Sequence, residues 1–599
     1  MTCIDRQLLA RTAHDILTHD LESYGNVLSE DHSRALASLL DSFAAYLTGE
    51  LAGRRAFSLP TGMGKTAAIV AFITALEQCG YSVPLSIAAS NVHSLCKLYQ
   101  ALIVHGVPAD RIGFKHSLRD AEVASTGDKE FLYQLVTHAR VRGGFDFGLF
   151  GEYRGEPRAL CVYDETLWRS DTSSMRADDA RAAIAWVQAY NPPQQLSTYL
   201  LRCGKCIEAA SKDAPQWTSG IPLDLPAVVE DQVEAWLEWI NTSGLFVKGA
   251  ADDLVLLLRL AGESLRVLCT EQGAGVIAIR QAIPEGLRNV AILDASAPIR
   301  ELAKLDRSIT VASDFDGMTL KSFENVEVFQ YLSGGGRSTL AKHGMSTNRE
   351  LSALSREVLN IINQDLANHG DRCFLIFTYM KRGKDDPPRR IRSDLKAAGI
   401  DIDALTPDRK RRFEFLTWGQ HEGLNGYEHC ESVILAGVIQ RDHLSLAAAI
   451  KGQQDDPAAA TPNSLVRDLV ESEAAHCLYQ AASRGSCRRI NNGMAQAMRL
   501  HVIHRHEGLK TFLEPVMPDA QWTCLAPLFL PRAVKTGKTA SMISMLLRYL
   551  ETVAPEVRRL SSKKIKSELG LILPPYPRTR SMRNVARPHR AGLRAVDIA

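Results

Sequence analysis

The chain has 599 residues, with 70 Lys+Arg against 68 Asp+Glu, 45% hydrophobic and 23% charged residues and 12 Cys. This composition excludes a mainly disordered chain, a collagen-like repeat and a disulfide-stapled miniprotein, and the length corresponds to about four domain-sized units. The near-neutral total hides a split: Pro531 to Ala599 holds 15 basic and 4 acidic residues, a net +11, and the 530 residues before it hold 55 and 64, a net −9. A basic segment of this kind favours phosphates, anionic surfaces or a docking partner. The longest apolar run, Leu254 to Leu260, is interrupted by Arg259 and ended by Gly262 and Glu263, well short of the roughly 18 to 20 residues of a membrane span. Met1 to Arg6 includes Asp5 and opens no apolar signal region, so a cytoplasmic protein with free thiols and no membrane partner is expected.

In chain order, Leu36, Leu39, Leu40, Phe43 and Leu47 repeat at helical spacing within Leu8 to Leu51. Arg55 to Leu59 reads as a short strand before Pro60, and Thr66 to Leu76 resumes a helical period through Ile69, Phe72, Ile73 and Leu76. Strand-length apolar runs recur at Leu85 to Ala89, Leu160 to Tyr163, Val290 to Leu293, Cys373 to Phe377 and Val433 to Ala436, with helical patterns between most of them. Continuous apolar runs alternating with helices predict buried parallel strands, hence an α/β protein with more than one doubly wound sheet.

Residues 166–287 differ. Helical patterns at Ala180 to Tyr190, Val228 to Ile240 and Asp252 to Leu268, with five of the seven Trp, predict a helical insertion. Trp236 and Trp239, three apart on an apolar face, read as core ahead of base-stacking faces. Cys203 and Cys206 form a lone CxxC read as a reduced loop pair, and His501 to His506 reads as a strand and a basic loop. Pro574 to Pro577 marks a stiff linker, Lys535 to Thr539 a basic loop, and Leu560 to Leu569 a short helix for DNA or a partner.

Leu59-Pro-Thr-Gly-Met-Gly-Lys-Thr66 lies between the predicted strand and helix. A loop of this kind turns backbone amides toward phosphate oxygens, and the helix that follows adds its N-terminal partial positive charge. Thr61, Gly62, Met63, Gly64, Lys65 and Thr66 are the nucleotide-binding candidates, with Lys65 on the β/γ-phosphates and the Thr66 hydroxyl on Mg²⁺. At the end of another predicted strand, Asp164 supplies a metal-holding carboxylate and Glu165 a carboxylate that polarises the attacking water.

These residues resemble the superfamily 2 helicases and translocases of DEAD/DEAH type. Pro60 to Thr66 looks like their first motif, which often lacks the leading glycine, and Asp164-Glu-Thr166 looks like the second. Ala88 to Ser94, including Ser90, sits where the family places a strand-contacting motif, and Leu293-Asp-Ala-Ser-Ala-Pro298 is similar to the Ser-Ala-Thr motif. Gly419 to Gly426 resembles motif V and Gln480 to Arg488 motif VI, with Arg484 and Arg488 four apart where three is usual.

The resemblance implies ATP and Mg²⁺ as cofactors and single-stranded DNA or RNA as partner. It makes Gln480, Arg484 and Arg488 catalytic with Glu165, and Ser90, Asp294, Ser296, Gly423 and Asn425 the coupling and nucleic-acid contacts. The implied architecture is two RecA-like doubly wound domains with a helical insertion and a basic C-terminal appendage. The expected division is N-terminal helices and first domain 1–165, insertion 166–287, return to the first domain 288–315, second domain 316–530 and appendage 531–599. An iron–sulfur cluster, which one branch of the superfamily carries, is not expected, because only Cys79, Cys96 and Cys161 lie between the first two motifs. The expected activity is ATP-driven movement on nucleic acid. The alternative is a nucleotide-switched binding or scaffold protein whose altered motifs no longer drive movement.

Overall fold

The computed structural model describes residues 4–532 apart from 119, 128, 144–146, 215–219, 244–247, 261, 271–272, 345–350, 383–384 and 420–425, and beyond them the pairs Arg559–Leu560 and Asp597–Ile598. The chain divides into two units, Met1–Leu530 and Pro531–Ala599. In the second unit Arg559–Leu560 pairs in parallel with Asp597–Ile598. The expectations for Lys535 to Thr539, 561–569 and Pro574 to Pro577 lie outside the described residues.

The first unit holds two parallel sheets. The first has seven strands in the order Ile309–Val311, Arg54–Ala56, Val290–Leu293, Leu160–Asp164, Leu85–Ala89, Tyr133–Thr137 and Ile112–Lys115, all parallel. The second has six, in the order Phe413–Thr417, Phe374–Thr378, Ser432–Leu435, Met498–Ile503, Val326–Tyr331 and Gln521–Leu525, again all parallel. Leu85–Ala89, Val290–Leu293, Phe374–Thr378 and Ser432–Leu435 are buried along their whole length, as strands covered by helices on both faces must be. The five apolar runs of the sequence fall on these sheets to within a residue or two. These are two RecA-like α/β domains.

Two N-terminal helices, Arg6–Ser23 and Glu30–Thr48, cover one face of the first sheet. Asp5 and Ser29 cap them by accepting from Leu8 N–H and His32 N–H. Leu36, Leu39, Leu40 and Phe43 are fully buried against Phe57, Leu59 and Phe72. This places the helix pair directly behind the phosphate loop.

Among the described residues, the segment expected to be a helical insertion holds four helices, Ala177–Gln188, Gln194–Lys212, Glu230–Thr242 and Lys248–Arg259, and also an antiparallel sheet. Its strands run in the order Ser170–Arg176, Gly273–Gln281, Leu265–Thr270 and Ile221–Leu223. The apolar period read from Asp252 to Leu268 is therefore divided: the helix ends at Arg259 and Leu265 opens a strand. Cys203 and Cys206 lie on a helix and not in a loop. Trp236 is buried against Tyr199, ring centroids 5.2 Å apart, and Trp239 packs on the same core.

The sheet of the insertion packs on the helix His443–Gln453 that follows the strand Ser432–Leu435 of the second parallel sheet. Leu268 and Ile277 share a core with Leu444, Leu446, Ala448 and Leu469. A Cβ on Gly275 would lie 2.3 Å from Leu444, and one on Gly452 2.6 Å from Thr172, so both glycines are needed for the close approach.

Candidate active site

The catalytic candidates of the first domain sit at the C-terminal ends of adjacent parallel strands, where such sheets present their ligand crevice. The phosphate loop follows Arg54–Ala56, Ser90 follows Leu85–Ala89, Asp164 and Glu165 end Leu160–Asp164, and Asp294 follows Val290–Leu293. Gly62 and Gly64 adopt φ of +88° and +86°, a left-handed backbone that favours glycine. Gly64 is the N-cap of Lys65–Gln78, so the helix starts at the lysine and its free amides face the loop.

The second domain closes the site from the opposite side. The helix Asn463–Ala482 ends at Ser483, the chain turns at Gly485, and a 3-10 turn Ser486–Arg488 returns the second arginine. The four-residue spacing of Arg484 and Arg488 is thus a helix end plus a turn and not one helical face. Thr61, Gly62, Gly64, Lys65, Thr66, Ser90, Asp164, Glu165, Asp294, Gln480, Arg484 and Arg488 line one cavity of about 380 Å³. Arg489, next in the chain, is exposed and does not line this cavity. Met63 is buried beneath the loop, where its carbonyl meets His32 Nε2 at 3.2 Å. Gly423 and Asn425 lie outside the described residues.

Burial governs the charges here. The Lys65 ammonium donates to the Leu59 carbonyl at 2.9 Å, and burial holds it below the usual lysine range despite Asp164 and Asp294 nearby. Burial likewise pushes the Asp164 carboxyl up, opposed by Lys65, Arg488 and Arg484. A half-buried carboxylate whose charged form is penalised, lining the same cavity as the first helical hydroxyl Thr66, fits a divalent cation, which would remove that penalty. Glu165 carries φ of +81°, a strained conformation for a side-chain-bearing residue. Its N–H donates to the Leu293 carbonyl at 3.2 Å. The strain lies at the residue that would orient water.

Beyond Glu165, a second cavity of about 470 Å³ shares Ser90, Glu165, Asp294 and Gln480 with the first. It is flanked by a buried network of which the sequence reading named Asp294 and Ser296 but not Arg300, Glu473, His476 and Arg441. Thr166 Oγ1 donates to Asp294, and Ser296 donates to Asp294 through N–H at 2.8 Å and Oγ at 2.6 Å. His476 Nδ1 lies 2.8 Å from Ser296 Oγ. Because that hydroxyl gives its proton to Asp294, His476 must be the donor, consistent with a neutral ring that burial holds down to about 3. Arg300 pairs with Glu473 at 3.0 and 3.2 Å and donates to Thr166 at 2.8 Å, while Arg441 reaches Glu473 at 3.3 Å. The Arg300 guanidinium also lies 4.3 Å over the Trp168 ring. Asp294 and Ser296 therefore join the acid-bearing strand end to a helix of the other domain. Glu473, His476 and Gln480, at steps of three and four, mark one face of that helix and were the signal available in sequence.

No family model matches the chain, and no curated protein matches it. Solved structures similar to it include S. cerevisiae Dbp5 bound to RNA and ADP BeF3, at 10% identity over 84% of this chain and 95% of that one, TM-score 0.35. The DEAD-box helicase Mss116 bound to ssRNA and UDP-BeF is 12% identical over 94% and 89%, TM-score 0.32. Escherichia coli DEAH/RHA helicase HrpB is 13% identical over 85% and 46%, TM-score 0.30. Two parallel sheets, with the phosphate loop of one facing the arginine segment of the other across a cleft, form a two-domain RecA-like α/β fold.

Proposed function

We propose that the chain is an ATP-dependent nucleic-acid helicase or translocase. The observation that carries this reading is the convergence of Lys65, Thr66, Asp164, Glu165, Arg484 and Arg488, from both domains, on one cavity. In it, Lys65 and the amides of residues 61–66 would hold the phosphates, and Thr66 and Asp164 would hold Mg²⁺, a cation that supplies charge neutralisation at phosphate oxygens when bound. Glu165 orients the attacking water, and Arg484 and Arg488 stabilise charge that develops on the transferring group. Gln480, shared by the two cavities, lies where it can report the state of that group to the other domain. Asp294 and Ser296 would pass closure to His476 and Glu473, and Ser90 lies at the boundary with the nucleic-acid side. Gly423 and Asn425 are proposed backbone contacts, and the +11 appendage an accessory contact to nucleic acid or a protein partner. The eleven described cysteines are free thiols, which suits a reducing cytoplasm. Among the described residues no helix is long and apolar enough to cross a membrane.

ATP turnover measured with single-stranded, duplex and forked DNA and RNA tests this reading. A motor is stimulated several-fold or more by at least one of them; turnover that ignores every nucleic acid rejects it. A nucleotide-switched binding protein is the second reading, favoured by the core that the insertion shares with His443–Gln453, since this core ties the two halves together. It predicts slow, unstimulated turnover with nucleic-acid affinity that changes between ATP and ADP.

A further inference from the structure

We infer that Lys321 is a positioning residue of the nucleotide site, whose ammonium bridges the phosphate loop of one domain to the arginine segment of the other. The segment that carries it crosses between the domains: Met318 and Leu320 pack on the core of the first, and Phe323 is buried in the core of the second. Lys321 lies at the crossing, only 2% exposed. Its Nζ donates to the Thr61 carbonyl at 2.9 Å and to the Arg488 carbonyl at 3.3 Å. The two acceptors belong to segments in direct contact, because a Cβ on Gly62 would lie 1.9 Å from the same Arg488 oxygen. Thr61 is held from its other side as well, where its N–H donates to the Tyr479 hydroxyl at 3.2 Å.

These partners carry dipoles and no formal negative charge, as does the Phe323 ring 5.0 Å from Nζ. The charged and titratable groups around the ammonium are few. Lys65 at the start of its helix and Arg488 on the arginine segment oppose its charge. The Cys487 thiol would favour that charge if ionised, but burial pushes the thiol up to about 11. His32, on the helix Glu30–Thr48, is held below the usual histidine range by its own burial. Burial and the two cations bring Lys321 down to about 7, so near neutral pH its proton is held loosely. Bound phosphates next to Thr61 supply the missing negative charge and favour the ammonium. Closing the bridge and binding nucleotide therefore favour one another.

The inference rests on the nucleotide site proposed above. It is tested on the full chain by measuring the affinity of a non-hydrolysable ATP analogue with Mg²⁺ from pH 6.5 to 8.5 for wild type, Lys321→Arg and Lys321→Met. Wild type should bind more weakly as pH rises above about 7, by up to about tenfold per unit. Lys321→Arg, charged throughout, should keep its pH 6.5 affinity across the range, and Lys321→Met should bind weakly at every pH. The same slope in wild type and Lys321→Arg would assign the titration to another group, Lys65 first, and overturn the inference, as would a flat wild-type profile. The first comparison stands if Lys321→Met fails to fold. Wild type that does not bind the analogue at all would reject the nucleotide site itself and the inference with it, an outcome distinct from a wrong slope.

Discussion

The two cavities of the cleft share four residues and differ in what burial does to their charges. On the phosphate-loop side, burial dominates: Lys65 is held down and Asp164 is pushed up, each toward its neutral form. On the other side, pairing dominates for the ions, although burial still keeps His476 neutral. Glu473 is held at about 2 by Arg300 and Arg441 despite its burial, and Arg300 is raised. The first cavity thus awaits a ligand that brings charge, whereas the second has its ion pairs closed within the protein. The contrast separates the groups that would do chemistry from those that would report it to the other domain.

The strongest way to break this contrast is to empty the first cavity of its cation. Lys65→Ala should abolish ATP turnover, and near-wild-type turnover in a preparation free of contaminating ATPases would remove the phosphate loop from the mechanism. Glu165→Gln should keep ATP binding and lower hydrolysis by about 10²- to 10⁴-fold, the usual worth of a positioned acid–base group. Equilibrium nucleotide binding beside single-turnover hydrolysis separates the two effects. If binding fails instead, Glu165 has a structural role, to which its left-handed backbone would point.

In the second cavity, Glu473→Gln should act on stability. It leaves the Arg300 guanidinium buried beside a neutral amide, a change that costs about 3–5 kcal/mol when a buried pair is broken. The pH dependence follows from the sign of the shift. A carboxyl held at about 2 in the fold, against an unfolded value near 4.5, stabilises the protein fully above 4.5 and loses that contribution as pH falls through 2. Thermal midpoints of the variant and wild type should therefore differ most above about pH 4.5 and converge as pH falls towards 2. A constant difference across that range would show that Glu473 acts through packing and not through its charge.

The first cavity was far more legible in sequence than the second. A phosphate loop is a local device, so Gly62, Gly64, Lys65 and Thr66 appear together within five residues, and Asp164-Glu165 ends a recognisable apolar strand. The ion-pair network joins Thr166, Asp294 and Arg300, which two adjacent strands of the first sheet bring together, to Glu473, which meets them only when the two sheets face each other. Lys321 is similarly silent, because its acceptors are two backbone carbonyls of distant segments. The antiparallel sheet of the insertion was hidden for another reason. Leu265, Val267 and Leu268 continue the apolar rhythm of the preceding helix across a turn at Gly262, and short apolar runs do not distinguish strand from helix. Edge strands such as Ile112–Lys115 and Ile309–Val311, three or four residues long, are too brief to show a period.

The smallest expected effect tests whether the second cavity is held by charge pairing alone. The Trp168 ring lies 4.3 Å beneath the Arg300 guanidinium and 5.8 Å from that of Arg441, so it offers its negative face to cations already matched to Glu473. A cation over an aromatic face is worth about 0.5–2 kcal/mol, more where water is excluded. Trp168→Leu keeps an apolar side chain there and removes that face, and should lower stability by about 1 kcal/mol while leaving affinity for the ATP analogue unchanged. Arg300→Met is the partner for a double-mutant cycle, which isolates the pairwise contribution from the packing that either substitution also disturbs. If Trp168 acts through its ring, its cost should largely vanish in the Arg300→Met background. If the two costs add, the tryptophan merely fills space, and the paired charges of the second cavity need no aromatic support.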